Sequence, residues 1–216
     1  MSETVIKLTP STLAALMCSR VCHDLINPVG MVNTGLEVLS DESNVDMHED
    51  AIDLIRTSSR QANAKLNFLR DAFGAAGSSP GIIPLDDVKK KTEDMYQDAK
   101  AGFIWNLSTD GLPKGRARLL MNLSMLAINT LPRGGDITVS VSGEGETMEL
   151  KCTGRRAKLE EKVETALSGK APEDGFDGRT IQPFYTGMIA RELQSQITTQ
   201  TEEETVIFSV SPAQSS

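Results

Sequence analysis

Aromatic side chains are scarce in this sequence: one Trp, two Tyr and six Phe among 216 residues, 4% of the chain. A core with so few rings is mostly aliphatic, and the stacking platforms used for single-stranded nucleic acid are not expected. Positive charge is also in deficit. Lys and Arg number 22 against 30 Asp and Glu, a formal charge of −8, whereas nucleic-acid binders are usually basic. Only three cysteines occur, Cys18, Cys22 and Cys152; an odd number, with two of them four apart, is no disulfide framework and fits a reducing compartment. No run reaches the roughly 18 apolar residues of a membrane span, and MSETVIKLTP shows neither the basic region nor the cleavage site of a secretory leader. These absences predict a cytoplasmic chain, without nucleic-acid or membrane partners, that works on other proteins. With 39% hydrophobic and 24% charged residues the chain is globular, and its length suits one large domain or two small ones.

Two halves differ in period. Thr9-Pro10 reads as a helix start, Thr9 accepting a backbone N–H bond as N-cap and Pro10 opening the first turn. Cys18, Cys22, Leu25, Val29, Val32, Leu36 and Leu39 then alternate spacings of four and three, the buried seam of a helix packed in coiled-coil fashion. DESN at 41–44 breaks the pattern, which resumes through Ile52, Ile55, Ser59, Ala62, Leu66, Leu69 and Phe73. Two such helices, each roughly 45 Å long at 1.5 Å per residue, form an antiparallel hairpin. A lone hairpin buries one seam only, and dimerisation into a four-helix bundle would complete the core.

The Gly-, Ala- and Ser-rich stretch from Gly74 to Gly81 reads as a linker. The organisation expected is a helical dimerisation domain over 1–76, a linker over 77–83 and a second domain over 84–212, with SPAQSS as a disordered tail. In the second domain a polar helix is predicted over 85–100, a strand over 102–107 and a helix over 114–131 stopped by Pro132. DITVSVS and TMELKCT flank Gly143-Glu144-Gly145 as a hairpin, helical patterns occupy 157–168 and about 178–195, and a strand pair follows around 196–210. Hairpins mixed with helices predict a two-layer α/β sandwich, helices on one face of a mixed sheet.

His23 lies off the seam. Cys22 and Leu25 hold seam positions, so His23, Asp24, Asn27 and Arg20 flank it or point outward. Arg20 and Asn27 stand three residues before and four after His23, spacings that make helical side chains neighbours. An exposed imidazole beside a carboxylate, with a cation and an amide nearby, suits phosphoryl transfer, which needs mostly positioning and charge neutralisation. At cytoplasmic pH much of a histidine with its unperturbed pKa of about 6.5 is neutral and nucleophilic. Asp24 would hold the ring tautomer, Asn27 a phosphoryl oxygen or a water, and Arg20 would contact phosphate or partner. Pro28 removes one intrahelical bond and is expected to kink the helix past this site.

His23-Asp24-Leu25-Ile26-Asn27-Pro28 resembles the H-box of sensor histidine kinases, which runs His, acid, two residues, Thr or Asn, Pro. The resemblance implies that His23 is the phosphorylated residue, on a dimeric hairpin. The stretch from Asn122 through Leu131-Pro132-Arg133-Gly134-Gly135 resembles the N-box region of the kinase ATP-binding fold, of Bergerat type, but departs from it where function lies. The Asn that would hold Mg²⁺ falls on Leu126, with Asn129 reaching its place only in a shifted register. The Asp-x-Gly-x-Gly motif aligns with Cys152-Thr153-Gly154-Arg155-Arg156, and PFYTGMIARELQ keeps one Gly of the lid. The expectation is a degenerate domain that keeps the fold and binds no ATP. With the opening LAALMCSRVCHDLINPVG, the combination is similar to the ChpT-type histidine phosphotransferases of alphaproteobacteria. That resemblance implies an α+β homodimer which takes phosphate from the receiver domain of a CckA-like hybrid histidine kinase and passes it to CtrA-like and CpdR-like response regulators. It implies no resident cofactor or metal, since Mg²⁺ comes with the partner's receiver domain.

Plainer readings stand beside these. His48-Glu49 repeats the His-acid pair but has Asp53 where the motif wants Pro, so it reads as structural. Cys18, Cys22 and His23 do not make a metal site if the two thiols lie in the seam and the imidazole points away. Lys89-Lys90-Lys91 and Arg116/Arg118 read as solvated faces. A divergent active kinase and a non-catalytic dimeric scaffold for response regulators remain as alternative functions.

Overall fold

The computed structural model describes residues 5–74 and 81–213. Helix α1 (Pro10–Ser40) opens as the sequence predicts: Thr9 is extended, its hydroxyl accepts the Thr12 amide proton at 3.2 Å, and Pro10 fills the first turn. It runs as one 31-residue helix through Pro28. The return is built by Asp41, whose carboxylate accepts from the Ser43 amide at 2.9 Å, the Ser43 hydroxyl at 2.6 Å and the Asn44 side chain at 2.6 Å. Those bonds, led by the hydroxyl, hold the Asp41 carboxyl below its ordinary value. A short 3₁₀ segment (Glu42–Met47) leads into α2 (His48–Phe73), which packs antiparallel along α1. His48 is the half-buried first residue of α2.

The hairpin corrects the seam expected from the periodicity. Within the chain, α1 buries only Pro28 and Gly35. A Cβ at Gly35 would lie 2.6 Å from Ile55 Cγ1 and 3.0 Å from the Ala51 carbonyl, so glycine sets the close approach of the two helices. Cys18 and Cys22 are exposed, as are Val29 and Leu36, each 49% accessible, and Leu66 on α2 at 51%. Periodicity locates an apolar stripe but not how many neighbours share it. Here α2 covers one flank of α1, Ile181 and Phe184 of the second half pack against Leu13, Leu16 and Met17 near its start, and Cys18, Cys22, Val29 and Leu36 remain exposed.

The second half begins with β1 (Ile82–Pro84), α3 (Leu85–Met95), β2 (Ala101–Leu107) and β3 (Gly111–Pro113). It continues with α4 (Lys114–Asn129), β4 (Gly135–Ser142), β5 (Thr147–Thr153), α5 (Glu161–Leu167), α6 (Ile181–Glu192), β6 (Ser195–Glu202) and β7 (Thr205–Pro212). The main sheet has the order β2-β4-β5-β7-β6, with β2 and β4 parallel and the other pairs antiparallel. Met148, Leu150 and Cys152 point from β5 into the core while Thr147, Glu149, Lys151 and Thr153 alternate outward. Helices α4 and α6 cover the inner face, α4 with ten buried residues. The hairpin between β4 and β5 turns through Gly143, Glu144 and Gly145, all at positive φ, a conformation that glycine adopts without strain.

The α+β architecture is the one predicted, a helical hairpin followed by an α/β sandwich. The ribbon of β1 with β3 was not foreseen. Most of the expected 77–83 linker and the end of the SPAQSS tail lie outside the described residues, and Ser211 and Pro212 belong to β7 rather than to a tail. The two halves share a core: Phe68, Leu69 and Ala72 of α2 join the same buried cluster as α3, α4 and the sheet. Asn122, fully buried, donates to the Ala72 carbonyl at 2.8 Å and to the Arg118 carbonyl at 2.9 Å, and Gln182 of α6 donates to Asn122 Oδ1 at 3.2 Å. Arg116 and Arg118 are not a solvated face. Arg116 donates to Ser195 Oγ at 2.6 Å and to the Leu193 carbonyl at 3.3 Å, while Arg118 lies over the Tyr185 ring. Lys91 pairs with Asp71.

Candidate functional site

α1 presents His23 about midway along its length. Its side chain is 70% exposed. Nδ1 faces Asp24 Oδ1 at 3.4 Å, long for a hydrogen bond. Asp24 is itself held in place: Oδ2 accepts from Arg20 Nε at 2.9 Å, Lys65 of α2 donates to its backbone carbonyl at 3.2 Å, and its side chain is only 12% exposed. A carboxylate fixed in this way keeps one oxygen aimed at the imidazole.

Arg20 does more than flank the histidine. Its Nη1 donates to the Gly178 carbonyl at 3.2 Å, so a single guanidinium joins α1 to the loop before α6. That loop is set by Asp177, whose Oδ1 accepts from the Arg179 amide at 2.9 Å and from the Thr180 amide and hydroxyl, both at 2.7 Å. Burial alone would raise the Asp177 carboxyl, but these bonds outweigh it and hold the group below its ordinary 3.8. Arg20, expected as a contact for phosphate or for the partner receiver, also latches the two halves together; it is 15% exposed and engaged by two acceptors. Asn27 lies exposed on the next turn with no hydrogen-bond partner among the described residues.

A cleft of about 420 Å³ opens between α1 and the α/β layer, with His23, Asp24 and Arg20 on one wall and Lys158, Lys162 and Arg179 on the other. Sequence reasoning missed these three cations. They occur in no motif, and only the fold sets them opposite a histidine more than 130 positions earlier, so a count of basic residues over 155–179 was the sole available signal. Lys162 is paired with Glu160 at 3.1 Å, whereas Lys158 and Arg179 have no ion pair among the described residues. With the Arg20–Asp24 and Lys162–Glu160 pairs neutral, the cleft has a surplus of two positive charges in a chain of net charge −8.

Two of the nucleotide positions of the kinase pattern, Leu126 and Asn129, line this same cleft, whereas Cys152 and Gly187 do not. Leu126, at the position of the Mg²⁺-holding Asn, is 3% exposed and lines it, offering no oxygen to a hard cation. Asn129 also lines it and donates to the Met125 carbonyl at 2.9 Å. Cys152, in place of the adenine-binding acid, is fully buried, and burial pushes its thiol up to about 11 despite a bond from Thr130. Gly187, the one glycine left of the lid segment, lies inside α6, and a Cβ there would lie 2.1 Å from the Leu167 carbonyl.

Residues 85–205 match the family model of the histidine phosphotransferase C-terminal domain, more than half of the chain. The chain belongs to the histidine phosphotransferase family. The likeness extends beyond that domain. This phosphotransferase is 37% identical over 206 residues to the protein phosphotransferase ChpT of Brucella abortus (strain 2308), covering 94% of this chain and 97% of the relative. A solved bacterial phosphotransferase superposes with a TM-score of 0.85 at 34% identity, over 96% of this chain and all of the other. The enzyme is therefore a protein phosphotransferase, and among its described residues no helix is long and apolar enough to cross a membrane.

Proposed function

We propose that His23 is the phosphorylated residue and that the chain relays a phosphoryl group between receiver domains. The observation that carries this reading is the exposed imidazole beside a fixed carboxylate at the mouth of a cationic cleft. With Nδ1 toward Asp24, the tautomer protonated at Nδ1 is favoured, and the lone pair of Nε2 is left for attack on phosphorus. The developing negative charge is met by the cations of the cleft, and in this reading Asn27, exposed on the neighbouring turn, orients a phosphoryl oxygen. Arg20 acts through Asp24, as a positioning residue.

The donor in this reading is the receiver domain of a CckA-like hybrid histidine kinase, and the acceptors are CtrA-like and CpdR-like response regulators. Mg²⁺ travels with the receiver. No ATP is used, a view supported by Leu126, by the un-ionised, buried Cys152 and by the loss of the lid glycines. The protein acts in the cytoplasm as a homodimer. The uncovered flank of the hairpin, with Cys18, Cys22, Val29, Leu36 and Leu66, is what a second copy would bury to complete a four-helix bundle.

Wild-type protein and His23→Ala, each given labelled ATP and then a labelled phospho-receiver, test the reading. Label is expected only from the receiver and only on wild type, with the variant's thermal unfolding unchanged because an exposed side chain contributes little to packing. Label taken directly from ATP would make the protein a kinase. Absence of label from either donor would make it a scaffold.

A further inference from the structure

The cleft beside His23 is preformed within one chain and is far too small for a protein domain, yet it holds two cations that no internal carboxylate neutralises, Lys158 and Arg179. A surplus of two positive charges matches one dianionic phosphoryl group. The cleft also has an apolar side, from Leu126, Leu159, Val163 and Pro183, able to cover a short carbon chain. An aspartyl phosphate is a mixed anhydride of a carboxylic and a phosphoric acid. A free, small acyl phosphate presents the same anhydride with a short acyl group in place of the protein.

We propose that His23 also takes a phosphoryl group directly from small acyl phosphates bound in this cleft, with Lys158 and Arg179 on the phosphoryl oxygens and the acyl chain against Leu126 and Pro183. The proposal rests on the reading of His23 as phosphoacceptor and adds a second class of donor to it. In the transfer, the Nε2 lone pair of neutral His23 forms the N–P bond as the bond from phosphorus to the acyl oxygen breaks. The carboxylate leaves with that electron pair, and the Nδ1 proton passes by way of Asp24 to solvent. The products are Nε2-phosphohistidine, a free carboxylate and one proton, with no oxidant, reductant or nucleotide required. A receiver brings its own metal and charged groups to the reaction, but a small acyl phosphate brings none, so this activity depends more heavily on the cations of the cleft.

The test uses the full chain with [³²P]acetyl phosphate and Mg²⁺, beside a parallel reaction with a labelled phospho-receiver, scoring acid-labile, alkali-stable label. Wild type is expected to take label from both donors and His23→Gln from neither. The double variant Lys158→Gln, Arg179→Gln removes two charge-assisted hydrogen bonds and is expected to lose about a hundredfold in the rate from acetyl phosphate. Label from the receiver but none from acetyl phosphate overturns this proposal and leaves the relay standing. Label from neither overturns the relay itself. An undiminished rate in the double variant, or equal labelling of His23→Gln, removes the cleft or the histidine from the acyl-phosphate reaction and overturns it as well.

Discussion

The two halves of this protein solve the burial problem in opposite ways. Helix α4, at 16 residues, buries ten of them, and Leu119, Leu120 and Leu123 are fully covered by the sheet and its neighbours. Helix α1, almost twice as long, buries two. The α/β half is complete within one chain, while the hairpin keeps an apolar flank and its histidine on the outside. The exposed histidine lies on the under-packed element, and the better-packed half forms the facing wall of the cleft beside it. That wall meets α1 through the Arg20 guanidinium, through the packing of Leu13, Leu16 and Met17 against Ile181 and Phe184, and across the cleft.

Truncation is expected to separate the halves most strongly. Phe208→Ala, in a fully buried position on β7, should cost about 3–5 kcal/mol in urea unfolding, since a ring is removed from a packed core and a cavity remains. Leu36→Ala, half exposed on α1, should change the unfolding of the isolated chain by under about 1 kcal/mol. Equal costs at the two sites would mean that the hairpin is as well packed as the sandwich. The next effect belongs to assembly. Val29→Glu with Leu36→Glu puts two carboxylates on the uncovered flank, and sedimentation should show a dissociation constant raised by about a hundredfold with helix content retained. A dimer that survives both charges would have its interface elsewhere.

Much of this division was legible in the sequence. The three-four spacing on either side of DESN predicted two antiparallel helices, Thr9-Pro10 marked where the first begins, and strict alternation in DITVSVS and TMELKCT marked β4 and β5. The stripe alone did not settle which side chains face solvent: it put Asp24 and Arg20 outward with His23, yet they are 12% and 15% exposed, while the stripe residue Cys22 is exposed. The parts not legible are those decided by distant partners. Arg116 looked solvated because its acceptors, Ser195 and Leu193, lie nearly eighty residues away, and the Arg20 latch depends on Gly178. The ribbon of β1 with β3 has three residues in each strand, too few for a period to show. The cations of the cleft carry no local pattern at all.

The latch should respond less than the core but more than the surface. Arg20→Ala leaves the Asp24 carboxylate and the Gly178 carbonyl without their shared donor, and a loss of about 1–3 kcal/mol in stability is expected, with a slower transfer to His23 because Asp24 is no longer aimed. Arg20→Lys keeps the charge but lacks the fork that reaches both acceptors at once. It should restore less than half of either loss, and full rescue would reduce the latch to a simple charge.

The smallest effect is a pH dependence at the far end of that latch. Asp177 is held below its ordinary 3.8 by the Thr180 and Arg179 donors, so its carboxylate contributes stability that is fully present above the unfolded pKa. The contribution disappears as pH falls through the lower, folded value. Asp177→Asn cannot ionise and should unfold earlier in urea than wild type at pH 7. The gap between the two should stay constant down to about pH 5 and then close as the solution passes below about pH 4. The same turn presents the Gly178 carbonyl to Arg20, so the variant should also slow transfer at neutral pH, by less than Arg20→Ala does. A gap in stability that persists unchanged at pH 3 would show that the turn is held by its shape and not by the carboxylate, and the latch would then be insensitive to acid.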